Sequence, residues 1–441
     1  MTLRDKAKIA PARLAVLQVL RDVRRGAFAD RAFERLAPSL AAADRRLAQE
    51  LAYGVLRLRG RLDHIIEGLV EGGSGRLDAD VVDILRLGAY QLLELDRVPA
   101  YAAVADAVEA AKRIAGKGAA SLTNAVLRRL GRDSSSAVSF PRLEDDPVAH
   151  LTTWGSHPRW LIERWLARWP VGDVEQLVQY NNARPAVYVS VTRSRERTLE
   201  QLATAGIEAE PVRLVPASLR VEASALQRML ELAAVVVQDP GAAAVVDYMA
   251  LDPGTPVIDL CAAPGGKAAA LAARGHEVWA FDNVRARLAR LLENRARLGL
   301  SRLHVAVADS TRPPLLRAQA VLLDVPCSGT GTLARRPDSR WRLRARDLEM
   351  LVRLQRRLLD AAAELVTPGG QLLYATCTLE PEENEEQVEA FLGRKPQFEL
   401  DPPPAASVSR ELLGEGRVLR ILPHRHGMDG VYAARFRRRI A

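Results

Sequence analysis

The apolar positions of residues 1–132 recur with the period of an α-helix. One stripe in residues 11–26 contains Leu14, Leu17, Val19 and Val23. The same spacing returns in residues 80–95, and both segments therefore predict amphipathic helices. Pro99 suits the start of a further helix, and the glycines at 116 and 118 suit its end. We predict an all-α domain over residues 1–132.

The pattern changes after this domain. Residues 133–147 have no period and are rich in Ser, Pro and charge, so they are predicted to form a linker. Helical spacing in residues 160–169 and strand-like alternation in residues 186–194 then predict a small α+β domain over residues 148–234. Four tryptophans are predicted to fill its core: Trp154, Trp160, Trp165 and Trp169.

From residue 235 to residue 441, short apolar runs alternate with helical stretches. The runs are residues 256–263, 276–282, 303–309, 319–326, 369–377 and 431–438. Strands that alternate with helices in this order predict a parallel sheet with helices on both faces. The chain is therefore predicted to be multidomain, with a Rossmann-like α/β domain at its C-terminal end.

Composition narrows the class of protein. Of 441 residues, 48% are hydrophobic and 27% are charged, as in soluble proteins of several domains. The three cysteines lie far apart, and none of the seven histidines is close to one, so we expect reduced thiols, a cytoplasmic protein and no metal. With no signal-peptide core and no long apolar run, no membrane partner is expected. A net charge of +9 suits a partner rich in phosphates, although a GC-rich genome would also raise the arginine content.

A cofactor site is predicted where the first strand of the α/β domain ends. In such sheets ligands bind at the carboxyl ends of the strands, where a glycine-rich turn leads into a helix. The turn "CAAPGGK" fits this description, and aspartates end the strands that follow. The predicted cofactor-binding residues are Cys261, Ala262, Ala263, Pro264, Gly265, Gly266, Lys267, Asp282, Asp309 and Asp324.

The aspartates favour a particular ligand. Asp282 is placed to bind ribose hydroxyls, and Asp309 lies where an adenine amino group could be met. The sulfonium cation of S-adenosylmethionine tolerates nearby carboxylates such as Asp259 and Asp324, whereas phosphates would be repelled. The alternative for each single aspartate is that it only caps the helix after its strand.

Two sets of motifs resemble known families. The stretch from residue 85 to residue 113, followed by "TNAVLRRL", resembles the helical bundle of the NusB-like family, which binds RNA.

The motifs "CAAPGGK", "DVPCSGTGTLARRPDSRW", "YATCTLEPEENEEQV" and "HGMDGVYAARFRR" together resemble the Sun/Fmu-type RNA cytosine-C5 methyltransferases. The chain departs from that pattern at Ala268, where Thr is usual, and at Thr378, where Ser is usual. The resemblance covers nearly the whole chain and implies methyl transfer from S-adenosylmethionine to a cytosine of ribosomal RNA, above all 16S rRNA; transfer RNA or another RNA is the alternative substrate.

The expected chemistry explains why cysteines are present. C5 of cytosine is a weak nucleophile, so a thiolate must first add to C6 and push electron density to C5. From the residues alone, either Cys377 or Cys327 could be that nucleophile, and Cys327 lies in a Pro-Cys motif like that of DNA cytosine-C5 enzymes. The resemblance instead implies Cys377 as nucleophile and Cys327 as the thiol needed for release. Cys261 is expected only to line the cofactor turn.

Two further side chains are predicted to take part in catalysis. Asp324 could hold N3 and the amino group of the base, or it could touch the cofactor. Lys267 could stabilise the cofactor loop or the RNA, and its alternative is a solvated lysine at a helix start.

Charged segments flank the two cysteine motifs. The predicted RNA-binding residues are Arg335, Arg336, Arg340, Arg342 and Arg344, with Arg346 beside them and Trp341 as a stacking partner for a base. A solvated surface is the alternative for these arginines. The acidic run at residues 380–386 is predicted to be a solvated helix N-terminus.

Two other functional classes are weaker. A non-catalytic RNA-binding factor would not need the pair of cysteines, and a Rossmann oxidoreductase would be expected to carry GxGxxG, which this turn lacks. A monomer is expected.

Overall fold

The computed structural model describes residues 9–133, 138–314 and 317–440. By compactness the chain divides into unit 1, residues 1–183 and 333–343, and unit 2, residues 184–332 and 344–441. Residues 1–8 of the predicted first domain and residues 134–137 of the predicted linker lie outside the described residues. Among the residues that are described, no helix is long and apolar enough to cross a membrane.

The α-helices and strands follow one another in three groups. The first group is α1 (Pro11–Arg24), α2 (Ala29–Leu36), α3 (Ala42–Arg57), α4 (Arg59–Leu69), α5 (Ala79–Glu94), α6 (Ala100–Asp133), α7 (Pro147–Thr153), α8 (Arg159–Leu166) and α9 (Val171–Asn182). The second is β1 (Val187–Val191), α10 (Arg195–Thr204), β2 (Ala209–Pro211), β3 (Ser218–Val221), α11 (Leu226–Leu232) and β4 (Val235–Val237). The third is α12 (Pro240–Met249), β5 (Val257–Asp259), α13 (Gly266–Ala273), β6 (Val278–Asp282), α14 (Ala289–Leu298), β7 (Leu303–Val307), β8 (Ala318–Asp324), α15 (Ser339–Arg342), α16 (Ala345–Leu365), β9 (Val366–Thr376), α17 (Glu385–Arg394), β10 (Phe398–Leu400), β11 (Leu419–Ile421), α18 (Pro423–His426) and β12 (Val431–Arg438).

Helices α1–α6 pack their apolar stripes into one core, as the sequence spacing predicted. Leu51, Leu85 and Leu127 are fully buried in this core. Leu14 is exposed, so it lies off the stripe to which the spacing assigned it. Gly116 has a φ of 87° and interrupts α6 at the predicted helix stop. Only glycine adopts such a backbone conformation without a steric cost.

The predicted middle domain has the expected helices and strands. Its strands form an antiparallel sheet in the order β2-β3-β1-β4. Compactness groups α7–α9 with unit 1 and this sheet with unit 2, so the predicted domain boundaries at residues 132, 147 and 234 stay a prediction. Trp165 is fully buried, as predicted, but Trp154 is 43% exposed and does not fill a core.

The large sheet has the order β10-β12-β9-β8-β5-β6-β7, with β11 paired to β12. Strands β5, β6, β7, β8 and β9 run parallel to one another, which confirms the α/β prediction for this part. Strand β12 instead runs antiparallel to β9, and β10 and β11 run antiparallel to β12, so the prediction of a wholly parallel sheet was wrong at this end of the sheet. Antiparallel edge strands are common on such sheets, and an apolar run does not reveal its direction. The sequence pattern did not predict strands β10 and β11, because a strand of three residues is too short to show an alternating pattern.

Alternate residues of the strands serve two cores, one on each face of the sheet. On one face, Val257 and Leu322 pack with α12, α13 and α14. On the other face, Ile258 and Leu323 pack with α16 and α17. The parallel strands therefore end at a common edge, and the strand order reverses between β5 and β8. In open α/β sheets this is the place where ligands bind.

Candidate active site

The glycine-rich turn lies directly after β5. The N–H of Ala262 donates to the carbonyl of Phe281 at 2.8 Å, which ties the turn to the next strand. Gly265 has a φ of 106°, and a Cβ atom there would lie 2.4 Å from the Leu291 side chain. A side chain at this position would be strained and would displace Leu291, and α13 begins at the next residue with its first N–H groups unpaired within the helix.

Two carboxylates are buried beside this turn. Burial, and then the charge of Asp324, raises the pKa of Asp259 to about 8. The Oδ1 atom of Asp259 has no hydrogen-bond partner among the described residues. Asp282 is also buried; it accepts a hydrogen bond from the N–H of Val284 at 3.0 Å and lies 3.4 Å from the Arg287 guanidinium. Asp259 thus gives this edge an unpaired acceptor, which a cation or a donor group of a ligand would satisfy.

Lys267 and Asp324 form an ion pair next to these carboxylates. The Nζ atom of Lys267 donates to Asp324 Oδ2 at 2.6 Å. Burial disfavours the charge of Lys267, but Asp324 and then Cys377 outweigh it, so the pKa of Lys267 is raised. The Lys267 side chain is only 14% exposed, so the alternative of a solvated lysine is wrong.

Cys261 and Asp309, two other predicted cofactor residues, do not take part in this ion pair. Burial, and then Asp259, raises the pKa of the Cys261 thiol, and a neutral thiol of this kind is unreactive. Asp309 is exposed and accepts hydrogen bonds from the N–H and hydroxyl of Thr311 at 2.9 and 2.8 Å. These hydrogen bonds lower the pKa of Asp309. An adenine contact by Asp309 stays a prediction.

The thiols of Cys327 and Cys377 lie side by side. Their Sγ atoms are 3.2 Å apart, and the N–H of Cys377 donates to Cys327 Sγ at 3.2 Å. Cys327 follows β8 and Cys377 follows β9, two neighbouring parallel strands. The hydrogen bond with Cys377, and then burial, raises the pKa of Cys327 well above its ordinary value. Cys327 is therefore held as a neutral thiol beside Cys377.

A buried acid fixes the two cysteine loops to each other. Glu383 accepts hydrogen bonds from the N–H of Ser328 at 2.9 Å, from the Ser328 hydroxyl, and from the Gln355 amide at 2.8 Å. The Ser328 hydroxyl also lies 2.6 Å from that of Thr378. Ser328 and Thr378 are the residues that follow the two cysteines, so this network sets the distance between the thiols.

The structure corrects the prediction for the acidic run. Glu380, Glu383 and Asn384 are buried rather than solvated, and burial raises the pKa of Glu383. Asn384 accepts from the hydroxyl of Thr376 at 2.6 Å and donates to the carbonyl of Thr378 at 3.0 Å. Sequence reasoning missed Glu383 because charge alone indicates solvent. The hydroxyl residues beside both cysteines were the signal that could have revealed an acceptor.

We expect Glu383→Ala to lower kcat for the expected methyl transfer by about 100-fold. A displacement of about 1 Å of reacting groups, here the two thiols, has effects of this size. The buried Ser328 N–H and hydroxyl would lose their acceptor, and the thiols would no longer be held together. Steady-state kinetics would measure the loss. Glu386→Ala is the matched control, because Glu386 is an exposed residue of the same run; equal kcat values for the two variants would contradict this role of Glu383.

Comparison with known proteins now identifies the family. A family model described as 16S rRNA methyltransferase RsmB/F matches residues 246–437, the NusB family model matches residues 10–132, and a ferredoxin-like domain of RsmF/B-like methyltransferases matches residues 157–226. The probable ribosomal RNA small subunit methyltransferase B of Synechocystis is 35% identical over 97% of this chain and 99% of its own. The chain belongs to the RsmB/F family of rRNA methyltransferases.

Further relatives of the RsmB/F family agree. Ribosomal RNA small subunit methyltransferase B of Cronobacter sakazakii is 36% identical, with 81% of this chain and 84% of its own covered. The crystal structure of PH0851 is 26% identical, has a TM-score of 0.78, and covers 98% of this chain and 100% of its own. The predicted family and the predicted fold class, with NusB-like, small α+β and α/β parts, are confirmed.

The arginines predicted to bind RNA, within residues 335–346 of this RsmB/F family member, differ in burial. Arg340 is 0% exposed. Its guanidinium donates, at 2.8 to 3.3 Å, to the carbonyls of Arg57, Ser156, Asn181 and Leu333 and to the Asn182 side chain, all in unit 1. The predicted phosphate contact is therefore wrong for Arg340, because it has no surface to offer.

Two neighbours of Arg340 are also held within unit 1. The Arg342 guanidinium lies 3.7 Å from the ring centroid of Phe28 and 3.4 Å from Asp338. The indole N–H of Trp341 donates to the carbonyl of Leu56 at 2.6 Å. Both side chains are half-buried, so a structural role accounts for them. Of the predicted RNA-binding arginines, Arg336 and Arg344 are exposed, and Arg335 is half-buried.

Proposed function

We propose that this rRNA methyltransferase transfers a methyl group to C5 of a cytosine through a covalent adduct between Cys377 and C6. The observation that carries the proposal is the pair of thiols 3.2 Å apart at the ends of two neighbouring strands. Methylation of an RNA oxygen or exocyclic nitrogen would need no thiol, whereas C5 transfer needs a nucleophile and a group that removes the C5 proton. 16S rRNA is the proposed substrate, in keeping with the family description.

The first step uses Cys377 as a thiolate. Lys267 supplies a nearby positive charge, and the neutral thiol of Cys327 can donate a hydrogen bond to the Cys377 sulfur. The thiolate forms a bond to C6, and the electron pair of the C5=C6 bond becomes available at C5. We assign to Asp324, with Lys267 beside it, the contacts to N3 and the amino group of the base while charge develops there.

The second step returns the enzyme to its starting state. Once the Cys377 sulfur is bound to carbon, it no longer stabilises the proton of Cys327, so the main cause of the raised pKa is removed. Cys327 can then lose its proton and, as a thiolate, take the proton from methylated C5. The electrons of that C–H bond restore C5=C6, the C6–S bond breaks, and Cys377 leaves as a thiolate.

We propose S-adenosylmethionine as the methyl donor. When bound, it supplies the electrophilic methyl group on a sulfonium cation. The edge of the sheet fits this ligand, because Asp259 has an unpaired buried oxygen, Asp282 presents a second carboxylate for ribose hydroxyls, and the turn at Gly265 allows close approach of a ligand. The cations beside these carboxylates, Lys267 and Arg287, are paired with Asp324 and Asp282, so the negative charge that remains favours a cationic ligand over a nucleotide.

We expect the affinity for S-adenosylmethionine to fall as pH drops below about 8, by up to about tenfold per pH unit. The pKa of Asp259 is raised to about 8, so lowering the pH protonates Asp259 and removes a negative charge that attracts the ligand. Because the ligand's own amino group also titrates in this range, calorimetric titrations at each pH should compare wild type with Asp259→Asn. Identical pH profiles for the two proteins would contradict this role.

We further propose that exposed arginines contact RNA phosphates. Neutralising Arg336, Arg344 and Arg346 together should weaken RNA binding and reduce the slope of log K against log salt by about 0.7 per lost contact for single-stranded RNA. Filter binding over a range of salt concentrations measures this slope. An unchanged slope would mean that these arginines form only a solvated surface.

The proposed function is tested by mapping 5-methylcytosine in ribosomal and transfer RNA from a deletion strain. One cytosine of 16S rRNA should lose its methyl group and regain it with the wild-type gene, but not with Cys377→Ala. Loss of a methyl group from transfer RNA alone would assign the other substrate. Loss of a modification other than 5-methylcytosine would contradict the proposed chemistry.

A further inference from the structure

Unit 1 contains a cavity that has no part in the thiol chemistry. It lies among α4, α7 and α9, has a volume of about 270 Å³, and no cysteine lines it. Its walls include Arg61, His150, Trp154, Gly155, Gln179 and Asn182. Sites for drug-sized ligands span about 300–1,000 Å³, so this cavity suits a single flat ring system.

Trp154 gives the cavity an aromatic surface. This residue is 43% exposed, although it was predicted, with three other tryptophans, to fill a core. The Arg61 guanidinium lies 3.9 Å from the ring centroid of Trp154, and the ring of Phe140 is 5.1 Å away at an interplanar angle of 76°. The indole is therefore supported by two neighbours while much of its surface remains accessible.

Arg61 is fixed in this arrangement. Its Nε atom donates to the carbonyl of Trp154 at 3.0 Å, and its NH1 atom lies 3.6 Å from Glu94. Burial lowers the pKa of Arg61, and its side chain is 17% exposed. Arg61 and Trp154 together form a rigid stacking surface that needs little ordering when a ligand binds.

Polar groups on the walls can meet the edge of a ring. The Asn182 amide donates to the carbonyl of Gly155 at 2.7 Å and accepts from Arg340 at 2.8 Å, which fixes its orientation and leaves its second N–H for a ligand. The Nδ1 atom of His150 lies 2.8 Å from the carbonyl of Pro141, so the imidazole is also held in place. Gln179 adds an exposed amide, whose NH2 group donates to the carboxylate of Glu175, also on the wall, at 3.2 Å. Amide and imidazole groups beside an aromatic ring are the surroundings in which proteins bind splayed-out RNA bases.

We propose that this cavity binds one unpaired nucleobase of the RNA substrate, stacked on Trp154. The inference rests on the RNA substrate that family membership gives, and not on the cytosine-C5 chemistry. Because no cysteine lines the cavity, the bound base is not the one that receives the methyl group. The cavity would thus help to select the RNA by holding a second base.

The test compares single-stranded RNA of mixed sequence with an abasic strand of equal length and equal phosphate count. Trp154→Ala in the full chain should weaken binding of the base-bearing strand by about 5- to 150-fold, the range for loss of one stacked base. Binding of the abasic strand and the salt dependence of binding should not change, since no phosphate contact is removed. Methyl transfer at saturating RNA should keep its maximal rate, so failure here is distinct from failure of the proposed chemistry.

Trp169→Ala is the matched control. Trp169 also has an arginine over its ring, Arg168 at 4.6 Å, but it does not line the cavity. Trp154→Phe keeps a stacking ring and should retain most of the affinity, while the quenching of indole fluorescence by RNA should diminish. Three results would overturn the proposal: equal losses of affinity for the base-bearing and abasic strands, no loss of affinity in Trp154→Ala, or unchanged fluorescence quenching in Trp154→Phe. If Trp154→Ala does not fold, the quenching measurement on Trp154→Phe decides.

Discussion

Cys377→Ala is expected to lose all detectable methyl transfer to rRNA. Without the thiolate, no bond forms to C6, and C5 is too weak a nucleophile to take the methyl group. Transfer of radiolabelled methyl groups to rRNA measures this loss. Cofactor affinity should stay within a few-fold of wild type, because Cys377 lies after β9 whereas the cofactor turn follows β5.

Cys327→Ala should behave differently although its Sγ atom is only 3.2 Å from that of Cys377. Attack by Cys377 remains available, but the group that takes the C5 proton is gone. The methylated adduct should therefore persist, and a protein–RNA complex should survive denaturing electrophoresis after incubation with S-adenosylmethionine and RNA. If Cys377→Ala forms this complex and Cys327→Ala does not, the roles of the two thiols are reversed.

Arg340→Met is expected to destabilise unit 1 by about 3–5 kcal/mol, because several buried acceptors would each lose a donor at a cost of about 1–3 kcal/mol, offset in part because a buried charge is replaced by an apolar side chain. Arg340 is fully buried, and its guanidinium satisfies four backbone carbonyls and one side-chain oxygen. Methionine fills a similar volume but offers no donors, so these acceptors would remain unpaired inside the protein.

Thermal unfolding checks this prediction. For a unit of this size the melting temperature should drop by about 6–20 °C. Arg336→Met is the matched control, because Arg336 is exposed and changes at exposed positions stay within about 0.5 kcal/mol. Equal melting temperatures for the two variants would show that Arg340 does not stabilise unit 1.

The parts of the fold that the sequence predicted share a simple cause. Helical periodicity identified the N-terminal bundle, and apolar runs that end in Asp259, Asp282 and Asp324 marked the edge of the sheet. Parallel strands bring their carboxyl ends together, so residues far apart in sequence had to meet there. The motifs of Cys327 and Cys377 were assigned to one site on other grounds, the chemistry of cytosine-C5 transfer and the resemblance to the methyltransferase family.

The sequence did not predict the burial or exposure of certain side chains, because burial depends on the groups that surround a side chain in the fold. Glu383 and Arg340 carry charges that a sequence pattern assigns to solvent, yet both are buried among groups supplied by distant segments. Trp154 shows the opposite case, an aromatic residue predicted to fill a core that is 43% exposed. Burial of a charge depends on partners from elsewhere in the fold, and a local pattern contains no information about them.

The most direct test of the proposed mechanism is mass spectrometry of the covalent adduct. Cys327→Ala would be incubated with S-adenosylmethionine and rRNA, denatured, and digested with ribonuclease and trypsin. We predict a methylated cytidine nucleotide attached to the peptide of residues 358–394, which contains Cys377. Attachment to the peptide of residues 318–335 in Cys377→Ala, or no adduct in either variant, would contradict transfer through Cys377.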